Sequence, residues 1–214
     1  MRLKPAPSPD YIDLSDEIGR TSSIRSRSGK KAKRKGSSFE RRIAKELGEW
    51  WGVKFYRTPQ SGGSPLKEGY ELAGDVATPA KDFRFHVECK NQESLGKFYN
   101  FMISEKASVW KWWRQCSEEC SDTRIPLLVF TKNHLPTWAL MRVDFFDALH
   151  HNYVKYCLKK HKLGETVEES NSFEDRAYVA VNSCRVITFN RLLSLPRSVV
   201  IDAFIQEGKY CEEG

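Results

Sequence analysis

The stretch that most restricts how this chain can fold is RFHVECKN, residues 84–91. Phe85, Val87 and Cys89 alternate with Arg84, His86, Glu88 and Lys90, a two-residue period that places apolar side chains on one face of a strand and polar ones on the other. The apolar face requires a core. The polar face is unusual, because a carboxylate and an ammonium two residues apart project side by side. The preceding segment GDVAT, residues 74–78, also has strand character, and PAKD offers a tight connection between the two. The expectation is an antiparallel hairpin across which Asp75 meets Glu88.

The elements on either side follow from the same kind of pattern. In SSFERRIAKELGEWWG, Ser37 or Ser38 is placed to cap a helix, Phe39, Ile43, Leu47, Trp50 and Trp51 recur at helical spacing, and Gly52 ends it. Glu40 follows Phe39 and is not required on the buried side, so it is free to face a neighbouring site. VKFYRT is a short strand, and PQSGGSPLKEGYELAG is a loop rich in Gly, Pro and Ser, of a length that is often functional inside a compact domain. A helix is expected from about Lys97 to Cys120, with Val109, Trp112, Trp113 and Cys116 on one side as core. IPLLVFTK and TWALMRV are strands, DFFDALHHNYVKYCLKKH a helix capped by Asp144, residues 162–177 a loop, YVAV and CRVITF strands, and RSVVIDAFIQEG a terminal helix. This order gives an α/β fold with a central mixed sheet flanked by helices.

Charge divides the chain unevenly. The net charge of +7 is concentrated in residues 1–35, where ten Lys or Arg stand against four Asp or Glu. Such a segment cannot bury a core, so residues 1–35 are expected to form a disordered basic tail able to hold phosphates, with Lys30, Lys31, Lys33, Arg34 and Lys35 as its DNA-binding residues. KKAKRK also has the character of a nuclear signal should the source be eukaryotic. Residues 36–143 are then the core domain and residues 144–214 a C-terminal α/β extension packing on it. No apolar run approaches the roughly 18 residues that span a membrane, and no secretory leader is visible, so a soluble cytoplasmic protein is expected. The six cysteines never form C-x-x-C, which argues against a zinc ribbon or a disulfide scaffold, and the loose group His150, His151, Cys157 and His161 matches no closed ligand pattern.

Asp75 and Glu88, delivered from neighbouring strands, suit a hard cation that takes oxygen ligands, and Mg2+ is the usual choice because it keeps waters for a phosphate substrate. A bound metal acidifies a coordinated water, and Lys90 beside it can orient that water or stabilise a developing oxyanion. Phosphodiester hydrolysis is the chemistry that uses such a set. Taken alone, Asp followed about a dozen residues later by Glu-x-Lys is a weak signal, equally met by a solvated sheet face with a salt bridge.

The blocks KGSSFERRIAKEL, YRTPQSGGS, GDVATP and FHVECKN, in that order from Lys35 to Asn91, resemble the archaeal-type Holliday junction resolvases and their phage-encoded relatives within the PD-(D/E)xK nuclease superfamily. The resemblance implies a restriction-endonuclease-like core, with Glu40, Asp75 and Glu88 as metal ligands, Lys90 at the attacking water and Ser61 assisting at the scissile phosphate. Arg41 and Arg57 match basic positions near the DNA backbone. It further implies a homodimer acting on four-way DNA junctions with Mg2+, for which Mn2+ substitutes. Gly74 stands where the family often has proline, and residues from about 144 onward have no counterpart in it. Two alternatives share the same core: a restriction-like or other branched-DNA endonuclease, and an inactive DNA-binding protein. Intact Asp75, Glu88 and Lys90 weigh against the second. Gln115 and His86 are weighed as helpers near the site.

Overall fold

The computed structural model describes residues 15–59, 66–92, 104, 106–132, 135–163, 178–180 and 183–208, with backbone alone for 15–31 and 178–180. The chain divides into two units, Met1–Lys35 and Gly36–Gly214. Within the first, the described residues are helical from Ser15, the start of α1 (Ser15–Trp51). This corrects the expected start at Ser37 or Ser38 and replaces a tail with helix over residues 15–35. Lys and Arg, eight of the residues from 15 to 35, are good helix formers, so a polar stretch without an apolar period can still hold helical backbone.

The second unit contains both sheets. Strands β1 (Tyr56–Arg57), β2 (Glu71–Ala73) and β3 (Val76–Thr78) form a small antiparallel sheet in the order β1-β3-β2. Strands β4 (Phe85–Asn91), β5 (Ile125–Thr131), β6 (Trp138–Arg142), β7 (Tyr178–Ala180) and β8 (Cys184–Thr188) form a mixed sheet in the order β4-β5-β6-β8-β7. β4 lies at its edge and runs parallel to β5, from Phe85 opposite Ile125 to Asn91 opposite Thr131; every other pairing is antiparallel. Among the described residues four further helices belong to the unit: α2 (Ser108–Glu119), α3 (Val143–Lys162), α4 (Phe189–Leu193) and α5 (Arg197–Gln206).

The sheet alternation decides the layers. Phe85, Val87 and Cys89 of β4, Ile125, Leu127 and Val129 of β5 and Ala139 and Met141 of β6 face one core, where they meet Phe39, Ile43, Leu47 and Trp51 of α1, Phe145 and Leu149 of α3 and Phe204 of α5. Several aromatic rings here meet edge to face, with Phe85 and Phe204 centroids 4.9 Å apart and Trp51 and Phe83 5.1 Å apart, while Phe145 stacks on Phe204. The opposite face, through Leu128, Phe130, Leu140 and Val186, packs on Val109 and Trp110 of α2. Trp112 and Trp113 lie partly buried against that cluster, as core residues. The result is a three-layer arrangement, helix–sheet–helix, with the polar side of β4 on the α2 face. No helix is long and apolar enough to cross a membrane among the described residues.

Three expectations are corrected. β3 and β4 are not a hairpin: they belong to different sheets, and the link between them is an isolated parallel bridge from Gly74 to Val87. The segment 144–214 is not an extension packed on a finished core, because β8 supplies a strand inside the main sheet and Phe145, Leu149, Phe189, Leu192 and Phe204 belong to the same hydrophobic cluster as Phe39 and Phe85. The third concerns the start of α3, which begins at Val143 with no side-chain cap; Asp144 sits in its first turn, ion-paired to Arg142. The loop expected at 162–177 lies, from residue 164, outside the described residues, as does the expected helical stretch 97–103.

Candidate active site

The site begins with a close backbone approach. Gly74 and Asp75 form the turn between β2 and β3, where Ala73 pairs with Val76. Gly74 has φ +76°, and a Cβ there would stand 2.3 Å from the Val87 carbonyl oxygen. Only glycine tolerates both conditions. The residue that takes the place of the family's proline is therefore required by the contact that docks the turn on β4. That contact is a hydrogen bond from the Asp75 N–H to the Val87 carbonyl, 2.8 Å, and Thr58 braces the turn from β1, its N–H to the Asp75 carbonyl at 2.9 Å and its hydroxyl to the Gly74 carbonyl at 2.7 Å.

Thus positioned, the Asp75 side chain accepts the Cys89 N–H at Oδ2, 2.8 Å. It lies against the exposed edge of β4, between the two faces of that strand. Glu88 is 5% exposed, projects on the α2 side and is ion-paired through Oε1 to Lys90 Nζ. Glu40, from α1, is ion-paired to Arg57 of β1, and both are mostly buried. The sequence-expected residues Glu40, Asp75, Glu88 and Lys90 thus act on one another: burial drives the Asp75 carboxyl up to about 7, the charge of Glu88 adds to the rise, the Cys89 N–H opposes it, and Glu40 adds a smaller push. Burial also works against charge on Lys90, but its hydrogen bond and ion pair with Glu88 outweigh this and hold the ammonium above its ordinary value.

Negative charge crowded into a desolvated place is what a divalent cation relieves. Asp75 and Glu88 present oxygen ligands alone, which fits Mg2+ or Mn2+ and not a thiolate-seeking metal. Cys89, between them in sequence, turns its thiol to the core, where burial pushes its pKa well up and keeps it out of the chemistry.

The remaining expected residues scatter. Ser61 lies outside the described residues. Arg41 is exposed on α1, its guanidinium donating to the Ser37 carbonyl at 3.3 Å, and together with Lys45, Lys54 and Arg57 it borders a groove of about 490 Å3 between α1 and β1. Arg57, expected at the DNA backbone, is engaged with Glu40. Lys33 and Arg34 are exposed on α1, Lys35 is partly buried there, and Lys30 and Lys31 lie on the same helix. Gln115 donates to Glu119 Oε1 at 3.0 Å. Sequence reasoning missed the Arg57–Glu40 pair, which no local pattern signals, and the approach of Glu119 to His86 and Glu88, Glu119 being one of many surface glutamates when read as sequence.

An acidic turn docked on an edge strand that carries Glu-x-Lys, on a mixed sheet with helices on both sides, is the arrangement of a PD-(D/E)xK nuclease. The chain belongs to the family described as phage putative PDDEXK endonuclease, which matches residues 31–193 and so includes Glu40, Asp75, Glu88 and Lys90. No curated protein and no solved structure matches it. The match runs well past residue 143, in accord with the strands and helices that the C-terminal part contributes to the one core.

Proposed function

We propose that this protein is a Mg2+-dependent, structure-selective endonuclease that hydrolyses phosphodiester bonds at four-way DNA junctions and works as a homodimer. The observation that carries the nuclease part is the meeting of buried Asp75 with Glu88 and Lys90 at the edge of β4. Junction selectivity is supported by the four ordered sequence blocks from Lys35 to Asn91.

In this reading Asp75 and Glu88 hold the cation, and Glu40 adds negative potential from α1. When bound, Mg2+ supplies a positive centre that acidifies a coordinated water and neutralises charge on the phosphate under attack. The Cys89 N–H fixes Asp75 Oδ2, so the carboxylate is oriented before any ligand arrives. Lys90, held beside Glu88 by their ion pair, is placed to orient or help deprotonate the attacking water or to stabilise the developing oxyanion. The Arg57 guanidinium holds Glu40 in place, and the groove cations Arg41, Lys45 and Lys54 offer contacts to flanking phosphates. Ser61 is expected to assist at the scissile phosphate.

The test is cleavage of a synthetic four-way junction and of a linear duplex of matched sequence, with Mg2+, Mn2+ or EDTA. Junction cleavage that needs the cation and disappears in Asp75→Asn and Glu88→Gln is the expected result. Cleavage of the linear duplex with the junction spared would replace junction selectivity by a restriction-like activity. Cleavage unaffected by both substitutions would remove the site.

A further inference from the structure

The polar face of β4 carries a second group of ligating side chains beyond the Asp75 centre. His86 and Glu88 project from β4 toward α2, and Glu119 closes that helix; one ligand atom from each lies within 4.8 Å of the other two. Metal–ligand bonds of about 2.0–2.2 Å leave ligand atoms roughly 3–4.4 Å apart, so a small change of side-chain angle would bring all three onto one ion.

Two observations distinguish this group from an ordinary charged surface. The imidazole Nε2 of His86 is shut off from solvent and has no hydrogen-bond partner among the described residues, an arrangement that costs free energy unless something binds it. Glu118 and Glu119 end α2 with no basic residue in its last turn. Carboxylates at a helix C-terminus face the negative end of the helix dipole, which a bound cation would offset. Lys90, one cation on that face, is paired with Glu88. Gln115, hydrogen-bonded to Glu119 Oε1, steadies the outer carboxylate, as a neighbour does for a ligand that must hold its direction.

We infer that His86, Glu88 and Glu119 form a second divalent-cation site, one that prefers a borderline transition ion such as Zn2+ or Mn2+ to Mg2+. The imidazole sets that preference, since nitrogen ligands favour these ions while carboxylates alone suit Mg2+. Glu88 belongs to both sites, so a cation held here competes with Lys90 for the Glu88 carboxylate and couples the occupancy of one site to the geometry of the other. The inference concerns binding and is independent of whether the DNA cut is a junction.

The experiment is calorimetric titration of the metal-free full chain with Zn2+, with and without excess Mg2+. The full chain is expected to bind Zn2+ at a site that excess Mg2+ does not displace. His86→Gln and Glu119→Gln are each expected to weaken that site by about tenfold or more, whereas Asp75→Asn retains it. Glu119 is exposed, so its substitution leaves the core untouched, and a thermal melt without metal verifies that each variant is folded. Equal affinity and stoichiometry in the full chain and in both His86→Gln and Glu119→Gln would overturn the inference. So would a loss in Asp75→Asn as large as in those two, which would assign the ion to the Asp75 centre. A chain that binds Zn2+ as expected but cuts no DNA leaves this site standing and removes the proposed function.

Discussion

Replacing Asp75 by asparagine is expected to stabilise the cation-free protein while removing a ligand of the proposed catalytic site. Burial, with Glu88 and Glu40 behind it, raises the Asp75 carboxyl from 3.8 to about 7. Between pH 4 and 7 the folded chain therefore keeps a proton that the unfolded chain has released, so stability falls as pH rises through that window and the full cost is present above pH 7. At about 1.36 kcal/mol per pH unit, the change from 3.8 to 7 corresponds to a cost of about 4 kcal/mol, and relaxation of a site close to solvent lowers it to roughly 2–4 kcal/mol. Asparagine keeps an oxygen for the Cys89 N–H and carries no charge. In EDTA at pH 8, Asp75→Asn should gain that amount in urea unfolding, or roughly 5–10 °C in Tm for a chain of this size. Near pH 4 the gain should vanish. Adding Mg2+ should stabilise the parent chain and not the variant, because ligand binding to the folded state alone raises stability by mass action. A variant that is less stable than its parent in EDTA at pH 8, or a difference that does not change with pH, would refute the reasoning that crowded carboxylates define this site.

Three further outcomes are expected. Gly74→Ala places a methyl 2.3 Å from the Val87 carbonyl oxygen at a positive φ, and should cost at least about 2 kcal/mol in unfolding experiments and abolish cleavage, as the turn leaves β4. Deleting residues 1–34 should weaken DNA binding and flatten its salt dependence by fewer phosphate contacts, while single-turnover cleavage at saturating protein stays near the parent rate; filter binding across a salt series and quenched-flow cleavage measure the two. In mass-spectrometric mapping with a thiol reagent, Cys120 and Cys157 should label before the buried Cys89, Cys116 and Cys184 in the native chain.

Much of this fold is legible in the sequence because its signals are strong and local. The alternation of Phe85, Val87 and Cys89 gives β4, the unbroken apolar run of IPLLVFT gives the central strand β5, and Phe39, Ile43, Leu47 and Trp51 give the buried side of α1. Where the sequence misleads, a contact distant along the chain decides. β2 is three residues long, Glu71–Ala73, and is held by pairing with β3 and by Arg124, whose guanidinium donates to Glu71 and to the Phe83 carbonyl; a pattern of three residues carries no period. The alternating pattern suggests a hairpin between β3 and β4, but Asp75 is brought to β4 by a parallel bridge, because Gly74 can approach Val87 more closely than a residue with a side chain. The basic stretch 30–35 has no apolar period to reveal helix, although its composition permits it. In the candidate site, Asp75, Glu88 and Lys90 stand out through the four ordered blocks from Lys35 to Asn91, since their spacing alone is a weak signal. Arg57 against Glu40, and Glu119 near His86, become visible only once α1, β1 and α2 are placed.

The bridge from Gly74 to Val87 also governs when the enzyme can exist at all. The two acidic ligands come from different sheets, one from a turn of the three-stranded sheet and one from the edge of the five-stranded sheet, so neither sheet contains a working centre by itself. If Asp75 and Glu88 hold the cation as proposed, a chain whose two sheets are not docked keeps these carboxylates apart, and the proposed centre exists only where the bridge joins them. Under the proposed function, correct tertiary assembly then serves as the protein's own safety catch.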